Sequence, residues 1–105
     1  MSHAKERGKL EKLSTKVDGL TNYDDKSLAI ITDVFEQYSH IIRILKNKNP
    51  DKFTGQYKNE LEQVKLDKRT LKLGDEVDRQ ENFVRYKDSL LAAVNNAILL
   101  IKENV

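Results

Sequence analysis

Apolar residues recur three and four positions apart through most of this chain, the spacing of helices that keep one face in water. Leu10, Leu13, Val17 and Leu20 form a narrow stripe that predicts a first helix over residues 5–18. Gly19 is placed to close it in a left-handed conformation. So thin a stripe marks the element expected to fray first or to swap onto a neighbour. The second helix, 25–47, is the clearest. Leu28, Ile31, Phe35, Tyr38, Ile42 and Leu45 share a face that Ile30, Val34 and Ile41 widen, opposite Asp33, Glu36, His40 and Arg43. Asp24 is placed to cap this helix, with Tyr23 and Leu28 stapling its entry.

Proline disfavours helical geometry in its predecessor and suits the first helical position itself. Asn49-Pro50-Asp51 therefore ends one helix and starts the next, forcing a tight hairpin. The third helix, 51–72, carries Phe53, Tyr57, Leu61, Val64 and Leu71 on one side, which Lys68 interrupts; Gly55 weakens its first turn. The most apolar stretch, Ser89 to Ile101, lies in a fourth helix over 76–103. There Leu90, Leu91, Val94, Ala97, Ile98 and Ile101 form one face, widened by Ala93 and Leu100. Asn95 and Asn96 fall on its borders, and Ala92 and Leu99 at its back.

The junction at Leu73-Gly74-Asp75 decides the topology. Lys65, Lys68, Arg69 and Lys72 precede the glycine, and Asp75, Glu76, Asp78 and Glu81 follow it. Two helix dipoles meeting end to end select that order of charge. Yet a three-four rhythm from Leu66 through Thr70, Leu73, Val77, Gln80, Val84 and Lys87 runs across Gly74 unbroken. Thr70, Gln80 and Lys87 suit a coiled-coil seam poorly, so a break is expected. The fold class predicted is a single all-α domain, an antiparallel bundle of four helices running up-down-up-down, with a long helical hairpin or coiled coil as the alternative.

Composition narrows the function more than it identifies one. With no cysteine there is no disulfide or thiolate chemistry, and the four glycines are too dispersed for a phosphate loop. Serines and threonines are scattered away from both histidines, and the carboxylates fall on polar faces. The expectation is a protein that is not an enzyme and carries no cofactor. Asp33, Glu36 and His40 could suggest metal ligands, but a tight site needs further ligands and groups that hold them in place, so a solvated face with an i,i+4 Glu–His pair is the expected reading. The opening residues lack the apolar core of a signal peptide, and the apolar run near the end is shorter than the ~20 residues that span a bilayer. No membrane partner is expected, and the cytoplasm is the default location.

By elimination, the chain is expected to be a non-catalytic protein–protein interaction module: a small regulator, inhibitor, adaptor or assembly subunit. Self-association is expected too, because the second and fourth helices display more apolar face than two thin stripes could cover. The predicted contact residues are Ile30, Ile44, Leu66, Ala92 and Leu99, each off the centre of its own stripe. The alternative is an accessory protein holding nucleic-acid backbone through Lys65, Lys68, Arg69 and Lys72. Acidic neighbours weigh against it, as does a net charge of only +2.

Overall fold

A computed structural model describes residues 3–103. Helix α1 spans Ala4–Asp18 and α2 spans Asp25–Lys48. The third helix, α3 (50–73), runs as α-helix over Pro50–Gly55, passes through a π-helical turn at Gln56–Glu60, and resumes over Leu61–Leu73. A short 3₁₀ turn at Glu76–Asp78 leads into α4, Arg79–Glu103. The described residues contain no strand. Antiparallel neighbours close the ring α1–α2–α3–α4, with α1 against α4, in a bundle of 46 × 23 × 17 Å.

Local chemistry sets most of the boundaries. The Asp24 carboxylate accepts from the Ser27 N–H at 2.7 Å, capping α2. That bond also holds the carboxyl below its ordinary pKa. Pro50 occupies the first turn of α3, and the Asn49 N–H closes α2 on the Leu45 carbonyl at 2.8 Å. Gly74 is extended, with φ −77° and ψ 167°, so α3 stops there and the chain turns back. Gly19 departs from expectation. It keeps φ −76°, and α1 ends in a right-handed turn in which the Leu20 N–H donates to the Val17 carbonyl at 3.0 Å. The reversal into α2 is spread over residues 19–24, so no left-handed residue is required at Gly19.

The expectation that the broad α2 and α4 faces exceed what this chain can cover fails. Ile31, Val34, Tyr38, Ile42 and Leu45 of α2 are buried, as are Leu90, Val94, Ala97 and Ile101 of α4. Their cover comes from α1 and α3. Leu10, Leu13 and Val17 of α1 are wholly enclosed, so its thin stripe is enough to fill the seam against α2 and α4. Polar links add register: the Ser14 hydroxyl donates to Asn95 Oδ1 at 2.8 Å, and Lys87 reaches the Asp18 carbonyl. His3, at the chain's polar start, is also buried, edge-on to Phe53 with ring centroids 5.9 Å apart.

Glu6 ties α1 to the end of α2. Lys48 Nζ donates to Glu6 Oε1 at 2.9 Å, and this bond is the main reason the Glu6 carboxyl titrates below its ordinary 4.5. A depressed folded-state pKa contributes stability above the unfolded value and loses it as pH falls through the folded one. Glu6→Gln is therefore expected to cost about 1 kcal/mol or less at pH 7. The deficit should shrink on acidification below 4.5, which paired denaturant melts across that range would check.

Candidate functional site

The side of the bundle formed by α3 and α4 differs from the rest of its surface. Among the described residues, every large apolar side chain that is well exposed belongs to this limb: Leu66, Leu73, Val77, Val84 and Leu99. Leu73 and Val77, 77% and 92% exposed, flank Gly74. They belong to the rhythm that crosses the glycine, and the turn at Gly74 strands that part of the rhythm in water. Its continuation, Val94, Ile98 and Ile101, points into the core.

Two contacts fix the register of this limb. The Ser89 hydroxyl donates to the Asp67 carboxylate, and the Asn96 amide donates to Glu60 Oε1. Two shallow grooves follow the α3–α4 seam. Asp67, Glu81, Val84, Arg85 and Asp88 line the one near the Gly74 turn. Lys52, Gly55, Asn59, Asn96 and Leu99 line the other, beside the π turn.

Of the five predicted contact residues, Leu66, Ala92 and Leu99 are exposed on this limb. Ile30 and Ile44 are half-buried on α2, away from it. The four basic residues of the alternative do not form one track. Lys65 pairs with Glu62 at 3.4 Å, and Arg69 is exposed on its own. Lys68 lies 4.5 Å over the Phe35 ring, and with Lys72 it lines a cavity between α2, α3 and α4. Asp33 accepts from Gln37 at 2.6 Å, while Glu36 and His40 point to solvent. Among the described residues, no three His, Asp or Glu side chains are grouped as metal ligands would be. No described helix is long and apolar enough to cross a membrane.

That cavity has a volume of about 270 Å³. Its apolar floor comes from Leu28 and Leu71, with the rings of Tyr23 and Tyr86; Lys68, Lys72 and Arg79 supply three cations. Arg79 Nη1 donates to the Tyr23 hydroxyl at 2.9 Å, and its guanidinium carbon lies 5.8 Å from the centre of that ring. Sequence reasoning missed Arg79, Tyr86 and Thr32 as lining residues and read Tyr23 only as a staple. The legible signal was Lys68, a charge on an apolar stripe.

Fold and surface together define a class: a four-helix up-down-up-down bundle that encloses its own core and shows apolar side chains to solvent on one limb. No family model, curated protein or solved structure matches this chain.

Proposed function

We propose that the protein is a non-catalytic interaction module whose α3–α4 face docks a second copy of the same chain. The observation that carries this reading is the concentration of exposed apolar side chains on that limb, with Leu66 and Leu99 each more than half exposed. In the α3–α4 register Leu66 lies level with Leu90, about nine residues of helix or 13 Å from Leu99, with Ala92 between the two levels. A two-fold pairing centred between these levels sets Leu66 of each chain against Leu99 of its partner. The small Ala92 near the axis lets the helices approach. Charge in the groove near the Gly74 turn is acidic on balance, Asp67, Glu81 and Asp88 against Arg85, and Lys102 is exposed at the opposite end of α4. Antiparallel copies bring these ends together, and such a self-matching patch is what two-fold symmetry requires.

Three or four apolar side chains make a small interface, so the dimer should be weak, with a Kd of order 10 µM. Sedimentation equilibrium tests it. The expected mass rises from one chain to two across that range, and Leu66→Asp with Leu99→Asp holds it at one chain while helicity is unchanged. A single-chain mass at every concentration overturns the pairing. So does a dimer indifferent to both substitutions.

A further inference from the structure

We propose that the cavity between α2, α3 and α4 binds a small organic oxyanion, a phosphate or carboxylate joined to a compact apolar body. Lys68, Lys72 and Arg79 would hold the charged group. Lys68 and Lys72 sit on the last turns of α3 and Arg79 on the first turn of α4, around a floor of leucine and tyrosine. Among the described residues, none of the three lies within ion-pair distance of a carboxylate. Two are already held in place, Lys68 over the Phe35 ring and Arg79 by the Tyr23 hydroxyl. An oriented cation loses less freedom on binding than a free one.

A second, independent observation points the same way. Tyr86 lines the cavity at 1% exposure, and its hydroxyl has no hydrogen-bond partner; buried Arg79 Nε has none either. Buried donors are nearly always satisfied, so an orphaned pair in the wall of a cationic cavity marks a place short of an acceptor; both atoms are closed to solvent, and the wall must shift for an oxyanion to reach them. Thr32 offers a further hydroxyl from α2. The acid whose charge is felt at Tyr86 is Glu36, which is exposed and outside the lining. At about 270 Å³ the space is below the usual range for drug-sized ligands. It suits one ring with one charged group.

This inference does not depend on the pairing of two chains, because Leu66, Ala92 and Leu99 take no part in lining the cavity. Phenyl phosphate is the probe, titrated into ¹⁵N-labelled protein against benzyl alcohol, an uncharged analogue of similar shape. The expected result is saturable shifts confined to amides near Thr32, Lys68, Lys72, Arg79 and Tyr86, with benzyl alcohol at least about tenfold weaker. Arg79→Gln should weaken phenyl phosphate about tenfold. Lys72→Gln, at an exposed position that leaves the fold intact, should weaken it several-fold. Equal binding of the two probes overturns the site, as does wild-type affinity in both variants. Shifts scattered over lysines elsewhere, or no saturable shift at about 10 mM probe, overturn it equally.

Discussion

Gln56→Leu is expected to destabilise the bundle by roughly 2–3 kcal/mol, although it puts a more apolar side chain into a buried position. Gln56 is 4% exposed, and its Nε2 donates to the Tyr38 hydroxyl at 2.7 Å and the Ala93 carbonyl at 2.8 Å. One side chain of α3 therefore holds α2 and α4 together through the core. Burial pushes the Tyr38 hydroxyl far above its ordinary pKa, so it stays neutral and needs a neutral partner. Leucine removes the donor and leaves the buried Tyr38 hydroxyl stranded. Replacing both ends of a buried hydrogen bond with apolar groups costs much less than removing one. Tyr38→Phe added to Gln56→Leu should therefore recover about half of the loss or more. Urea melts of the two single variants and the double variant provide the check. Additive losses would mean that the bond itself contributes little.

Gly74→Ala should open the hairpin. Its backbone angles are within reach of any residue, so the difficulty is steric: a Cβ there would lie 2.9 Å from the Thr70 carbonyl oxygen and 2.8 Å from Asn82 Nδ2. The Asn82 amide can rotate away, at some cost because Asn82 is itself buried. The Thr70 oxygen is backbone at the end of α3 and cannot move without unwinding that turn. Crowding of this kind costs about 1–3 kcal/mol. Alanine also favours helix over glycine by about 1 kcal/mol, which works for a straight rod through residues 66–84 and against the turn. At high concentration the variant should populate an elongated, helix-swapped dimer whose radius of gyration exceeds the 13.8 Å of the closed chain. X-ray scattering distinguishes this from a compact particle of unchanged size and raised melting temperature, the outcome if the clash relaxes freely.

These two residues also mark where sequence reading succeeded and where it stopped. Four helices, the Asp24 cap, the Pro50 start and the break at Gly74 were legible, because each rests on the chemistry of one or two neighbouring residues. The π turn was not. It steps the buried face of α3 from Gln56 to Leu61, five residues apart, with the Leu61 N–H donating to the Gln56 carbonyl. A polar side chain at Gln56 hid that step, since glutamine does not register as core. Competition between helices for cover was also invisible. Nothing in the α1 stripe says that Leu10, Leu13 and Val17 suffice to close the α2 and α4 faces, which depends on how closely three helices approach.

The basic cluster shows the same limit. Lys65, Lys68, Arg69 and Lys72 read as one group along the chain, but helical rotation divides them. Lys65 turns to Glu62, Arg69 to solvent, and Lys68 and Lys72 to the cavity that Arg79 completes from the next helix. The exposure of Leu66, Ala92 and Leu99 was legible because each lies off its helix's apolar centre, and that property survives folding. Ile30 and Ile44 share it but are half-covered within the bundle.

Methyl resonances of leucine and alanine, followed while the protein is diluted from about 1 mM to about 1 µM, test the docking face most directly. Pairing through α3 and α4 predicts that Leu66, Ala92 and Leu99 shift together with one dissociation constant while Leu10, Leu45 and Leu90 stay fixed. Methyls that hold still throughout, or concentration-dependent shifts confined to residues of α1 and α2, would contradict it.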